Sequence, residues 1–372
     1  MRILQISSAR AVGGGERHLA DLANALMMRG HDVHVALAPQ SPLREYLSAL
    51  PARNIITLPL RNALDVQSAH ELSRLVGRLK SEIVHAHMAR DYPLASYATR
   101  RASHGARLVI TRHVLFPLNR LHSWTLSHVA RVIAVSDAVA RALQSQRIFP
   151  DDKISVIPNG IDLRRFDKAA RRFDPAAFRR RLGVAPERLL VGTIGEINLL
   201  KGQVEFLRAA SLLARRFPHV DFVIAGEDFS RTGEHRARIL KLISELGLER
   251  RVHLTGWIDD VAPLIHALDL FVSASLTESF GLAIVEALAS GLAVVATATE
   301  GASEILLDGE TGLLVPINDT EKLAEALARL LEDPRERARL GVGGRASALE
   351  RFSLEHMVTA SEGIYREALA SG

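Results

Sequence analysis

No cysteine occurs in the 372-residue chain, which excludes disulfides, thiolate nucleophiles and cysteine-ligated zinc together. The lack fits a reducing cytoplasm. Aromatic residues are scarce, at 5%, and no basic run is interleaved with them, so no nucleic-acid partner is expected. No run of roughly 18 apolar residues is present, so no bilayer-spanning helix is expected. The opening MRILQISS reads as a strand rather than a charged segment ahead of a long apolar one, and no signal peptide is expected. These readings predict a cytoplasmic chain, at most peripheral on the inner face of a membrane.

What is there is the composition of a globular protein, 48% hydrophobic and 24% charged. The length is more than one ordinary core and suits two domains of about 150–200 residues. The formal net charge of +5 hides an uneven distribution. Residues 1–190 carry 29 Lys+Arg against 15 Asp+Glu, a net +14; the remainder carries 18 against 27, a net −9. Such asymmetry points to an anionic partner for the first half. By charge alone this is an anionic membrane surface, a phosphorylated acceptor or nucleic acid. A surface whose arginines merely segregate is the plainer explanation.

The pattern along the chain is strand, helix, strand. Arg2–Ser8 reads as a strand, Gly13-Gly14-Gly15 as a turn, and Arg17–Arg29 as a helix with Leu19, Leu22, Ala23 and Leu26 on one face and Gly30 closing it. Asp32–Ala38 is the next strand, and Ile83–His87, Leu108–Thr111 and Val132–Val135 follow. The second half repeats the unit: strands at Leu189–Gly195, Asp221–Ala225, Arg251–Thr255, Leu270–Ser273 and Ala293–Ala296, with helices at Val204–Arg216, Ile239–Leu246 and Phe280–Ser290. The expectation is α/β, two doubly wound parallel-sheet domains facing a cleft. Residues 1–165 form the first and 166–353 the second, with a last helix at 354–372 that packs back on the first. Arg164–Pro186, rich in Arg, Asp, Ala and Pro, reads as the linker.

Ligands of doubly wound sheets bind beyond the carboxyl ends of the strands, so the loops there are searched for chemistry. Thr277–Glu286 (TESFGLAIVE) follows a strand and opens a helix. Free amides and the positive dipole end make such a helix start an anion site. Gly281 permits close approach of a phosphate, Glu278 lies in the loop, and Glu286 is one and a half turns on. A capped helix whose carboxylates only complement the dipole is the plainer alternative. The triple glycine lacks the third glycine of a dinucleotide fingerprint, because His18 stands there. His85 and His87 alternate on one strand end with no carboxylate cluster nearby, so no metal ligand is expected. Phe116–Val132 reads as an amphipathic helix with Trp124, Arg120 and Arg131, for packing on the first sheet or resting on a membrane interface.

Leu270–Glu286 resembles the E-x7-E motif of GT-B retaining glycosyltransferases of family 4 type. Further blocks resemble the family in order: Gly13–Glu16, Ile157–Asp162 (IPNGID), Gly192–Gly202, Ala298–Pro316 and the closing Phe352–Tyr365. The resemblance spans essentially the whole chain. It implies a hexosyltransferase-type enzyme with a nucleotide-diphosphate-sugar donor and a glycan or lipid-linked acceptor. It implies no cofactor and no metal.

By the same resemblance Glu286 binds the ribose hydroxyls and Glu278 lies at the donor sugar. The amides of Gly281 and Leu282 hold the diphosphate, Gly13, Gly14 and Gly15 approach it from the first domain, and Glu196, Ser279 and Phe280 are counted with the donor-binding residues. Lys201 neutralises the leaving diphosphate, and His113 touches the donor sugar. Two positions depart from the family. Glu196 stands where it usually has Arg, and Val114 follows His113 where it has Asp. A sugar-nucleotide epimerase or a phosphorylase on the same fold is the alternative reaction. A non-catalytic protein binding anionic surfaces is the alternative outside enzymes.

Overall fold

The computed structural model describes residues 1–119 and 121–371 of the chain. It divides into two compact units: Met1–Ile161 together with the chain from Leu354 onward, and Asp162–Ser353. The first unit holds seven parallel strands: β1 (Arg2–Ser7), β2 (Asp32–Leu37), β3 (Ile55–Thr57), β4 (Ile83–Ala86), β5 (Arg107–Arg112), β6 (Val129–Ala134) and β7 (Ile154–Val156). Their order is β3-β2-β1-β4-β5-β6-β7. The second unit holds β8 (Leu189–Ile194), β9 (Val220–Ala225), β10 (Val252–Gly256), β11 (Leu270–Ser273), β12 (Val294–Thr297) and β13 (Leu313–Val315). Their order is β10-β9-β8-β11-β12-β13, again all parallel.

Helices cover both faces of such a sheet, so its central strands are apolar along their whole length. β4, β9 and β11 are buried at every residue. On the helix Gly14–Met28, Leu19, Leu22, Ala23 and Leu26 recur at helical spacing and pack with Ile3, Val33 and Val35. In the second unit Phe206 of the helix Gln203–Arg216 meets Phe222 of β9 edge-on at 6.0 Å.

The last helix, Leu354–Ala370, belongs to the first unit. Tyr365 is fully buried there, and its hydroxyl lies 2.7 Å from His85 Nδ1. Arg29 and His31 both reach Glu362, at 3.2 and 2.9 Å.

Four readings of the sequence are corrected here. The triple glycine is not a free turn. The helix begins at Gly14, and the Gly13 amide donates to Glu16 Oε2 at 3.0 Å, so Glu16 caps what no Ser, Thr or Asp is present to cap. Arg164–Pro186 is not a linker but two helices, Leu163–Arg172 and Pro175–Arg181, the second capped by Asp174. Arg179 donates to Asp269 at 2.7 Å and to the Ala267 carbonyl, which ties the segment into the second unit.

The charge asymmetry shrinks in consequence. Residues 162–190 carry nine Lys+Arg against four Asp+Glu, and the last helix is acidic, so the first unit is net +7 and the second net −2. Finally, Phe116–Val132 is not one helix. A short helix, Leu121–Thr125, gives way to β6 at Val129, and Arg120 lies outside the described residues. The strands that pattern reading overlooks, β3, β7 and β13, are three residues long and lie at sheet edges, too short for an alternation to register.

Candidate active site

In each unit the strand order reverses beside its first strand: between β1 and β4, and between β8 and β11. Crevices for ligands open at the carboxyl ends of these pairs. In the second unit the loop after β8 carries Lys201 and the loop after β11 carries Glu278. Three contacts join the loops. The Leu276 amide donates to the Leu200 carbonyl at 2.8 Å. Gly202, at φ +68°, lies so close to Ala274 that a Cβ would stand 1.7 Å from the Ala274 carbonyl oxygen. Lys201 Nζ donates to Glu278 Oε2 at 2.7 Å. Ser275 Oγ reaches the same carboxylate oxygen at 3.4 Å, and the Gly301 amide holds the Glu278 carbonyl at 3.0 Å.

The helix Leu282–Ala289 starts directly after this loop, with Gly281 as its N-cap. Its first intrahelical donor is Ile284, so the amides of Gly281, Leu282 and Ala283 take no part in its own ladder. They give the helix start the capacity to hold an anion. Ser279 is half-buried before it, and Phe280 is buried against Phe352 with ring centroids 5.7 Å apart. Glu286 follows within the helix and is only 7% exposed, a carboxylate placed for a few directed hydrogen bonds rather than for solvent. Glu196 ends the β8 side of the site with an exposed side chain, and its carbonyl accepts from Gln203 Nε2 at 2.9 Å.

The remaining predicted residues lie in the first unit. Gly13 and Gly14 are exposed at the helix start, and a Cβ on Gly15 would stand 3.3 Å from the His113 ring. His113 is half-buried just past β5, with Nε2 3.4 Å from Nδ1 of His87. Burial pushes its basicity well below that of free histidine, so it is neutral at neutral pH. His85 is a core residue, held by Tyr365 and by Thr111 Oγ1 at 2.7 Å each.

Two features escaped the sequence reading. His18, which only spoiled a glycine fingerprint there, is buried and packs edge-on against His113 at 4.9 Å. Asp91, buried beyond β4, accepts from the Ser8 amide at 2.8 Å, and burial raises its carboxyl to about 6. Arg90 reinforces this corner through Ser8 Oγ at 2.6 Å. The pattern Ala89-Arg90-Asp91 after a strand was the available signal.

Comparison with known proteins identifies the family. Residues 175–347 match the family Glycosyl transferases group 1, and residues 12–165 match Glycosyltransferase Family 4. A D-inositol 3-phosphate glycosyltransferase of Acidothermus cellulolyticus is 30% identical over 406 aligned positions, covering 99% of this chain and 88% of that one. The lipopolysaccharide core biosynthesis glycosyltransferase LpsE of Rhizobium meliloti is 28% identical and covers 96% of each. Among solved structures, Anabaena HepE in complex with UDP-glucose is 24% identical, with a TM-score of 0.85 over 100% of both chains. The chain therefore belongs to the glycosyl transferases group 1 family, and is a hexosyltransferase-type glycosyltransferase of GT-B fold.

Proposed function

We propose that the chain moves a hexose from a nucleotide-diphosphate sugar to a glycan or lipid-linked acceptor of bacterial cell-surface polysaccharide or lipopolysaccharide, with retention of configuration and without a catalytic metal. The Lys201–Glu278 ion pair, four residues ahead of the helix Leu282–Ala289, carries this reading. When a donor binds, Lys201 exchanges Glu278 for the diphosphate. Charge grows on that group as the glycosidic bond breaks, so a fixed ammonium and the helix-start amides favour the transition state over the ground state. Glu278, released, accepts from sugar hydroxyls. Glu286 accepts from two vicinal ribose hydroxyls, as a carboxylate can. Neutral His113 hydrogen-bonds a hydroxyl of the transferred sugar.

In this reaction the acceptor oxygen bonds to the anomeric carbon on the face the diphosphate leaves. The acceptor proton passes to a diphosphate oxygen. The UDP-glucose bound to HepE supports a UDP-hexose as the first donor to try. The name of LpsE supports a lipopolysaccharide-type acceptor.

Proton NMR of the product anomer is the test. Retention, unaffected by EDTA, is the expected result, and an inverted anomer sinks the mechanism. An anionic membrane surface supplying the acceptor is part of the proposal, supported by the +7 first unit and by exposed Phe116 and Trp124. Sedimentation with anionic but not neutral vesicles tests it.

A further inference from the structure

Three histidines from three elements converge at the carboxyl end of the first sheet: His18 of the helix Gly14–Met28, His87 just past β4 and His113 just past β5. One ring nitrogen from each lies within 4.8 Å of the others. His18 and His87 are buried, and His113 is half-buried, which leaves a way in from solvent. The Asn159 side chain is the polar neighbour of the His18 ring, and among the described residues His87 Nε2 and His113 Nδ1 have no hydrogen-bond partner. Buried polar groups are ordinarily satisfied by partners of opposite kind; three imidazoles that instead bring one nitrogen each within 4.8 Å of the others mark a site built for something other than the chain itself.

We propose that His18, His87 and His113 form a binding site for a first-row transition ion of the Zn2+ class. The donor set argues for that ion. Three neutral imidazoles offer lone pairs without needing to shed protons, and burial keeps all three neutral at physiological pH. The cluster contains no carboxylate, so the hard ions Mg2+ and Ca2+ find no oxygen ligands from it. The 3.4 Å between His113 Nε2 and His87 Nδ1 is close to the spacing of two ligands on a tetrahedral ion with bonds of about 2.0–2.1 Å. His18 completes the set by a side-chain shift on the order of 1 Å. Three ligands leave a fourth position for water or a sugar oxygen.

The ion is not a catalyst in this proposal. It occupies the one free lone pair of the His113 ring, which the proposed function assigns to the donor sugar, so Zn2+ inhibits transfer. That consequence rests on the proposed function; the binding site does not.

Zinc chloride, and separately magnesium chloride, titrated calorimetrically into the full-length protein tests the site. UDP titrated into the same preparations reports on the donor unit. One Zn2+ per chain is expected, with no Mg2+ heat. His18→Gln and His87→Gln are expected to weaken Zn2+ at least about tenfold with UDP affinity unchanged. Absence of Zn2+ binding to the unaltered protein, or binding unaltered in both variants, overturns the site. Should the variants not fold, Co2+ added to the unaltered protein decides: an intense visible band of tetrahedral Co2+ is expected, and its absence overturns the proposal. Zn2+ bound without UDP bound leaves the site standing and the donor reading fallen. UDP bound without Zn2+ does the reverse.

Discussion

Nζ of Lys201 donates to Oε2 of Glu278 at 2.7 Å, across two loops that follow neighbouring strands. The cation proposed to meet a diphosphate and the carboxylate proposed to meet a sugar therefore neutralise each other before a donor arrives. Neither side chain is fully exposed, at 32% and 15%, so the pair is preorganised without being locked away.

The two halves of this pair are distinguished by their effect on nucleotide binding. Lys201→Ala lowers kcat by about 10²–10³, the range for removing one preorganised stabiliser of developing negative charge. Glu278→Gln frees the lysine and removes a like charge, so UDP binds up to about fivefold tighter while transfer falls. UDP titration beside a UDP-release assay checks both. Weaker UDP binding by the glutamine variant would show that Glu278 does not compete with the phosphate.

Glu286→Ala weakens the nucleotide-sugar donor about 10–150-fold, the range for charge-assisted hydrogen bonds of about 1.5–3 kcal/mol. Acceptor KM is unchanged. Donor Kd and acceptor KM, determined separately, test the assignment. Equal effects on both would remove Glu286 from the ribose.

Gly202→Ala disrupts the meeting of the two loops. Its Cβ would stand 1.7 Å from the backbone oxygen of Ala274 in a left-handed conformation, and a backbone atom on a buried strand end cannot step aside. A loss of at least about 2 kcal/mol is expected, with donor binding impaired even where the chain folds. Thermal melting with and without UDP checks it; a wild-type melting temperature would refute the close approach.

Acid weakens the first unit. Burial holds His18 down at about 4, so the unfolded chain takes up a proton below pH 6.5 that the folded chain refuses. Stability is full above pH 6.5 and falls as pH drops from 6.5 toward 4. His18 alone contributes a loss of about 2 kcal/mol between pH 7.5 and 5, and His85, His87 and His113 are shifted the same way. Asp91, raised to about 6, opposes them, because its folded form gains a proton between about 6 and its ordinary 3.8. That returns about 1 kcal/mol on the same descent. Melting temperature therefore falls from pH 7.5 to 5. His18→Gln flattens the fall and Asp91→Asn steepens it. A melting temperature that rises toward pH 5 would contradict the burial of these imidazoles.

The strands at the centre of each sheet were legible because burial on both faces forces a continuous apolar run, as in β4 and β11. The candidate site loops stood out through their residue types: Glu278 and Glu286 around a glycine at a helix start, and a lysine beside Gly202. Edge strands of three residues and the paired helices after Asp162 were not, since short or charged segments look alike whether they pack or connect. Arg179 became structural only through Asp269, ninety residues on.

By itself the sequence determined the two parallel-sheet units, because period and burial are local properties of the chain. It also determined which loops carry charge. Tertiary structure alone decided who meets whom. Lys201 is paired with Glu278 because the strand order places β8 beside β11. The basic segment after residue 161 belongs to the second unit and the acidic last helix to the first. His18, His87 and His113, spread over 96 positions of sequence, share one buried corner because a doubly wound sheet gathers the ends of its central strands.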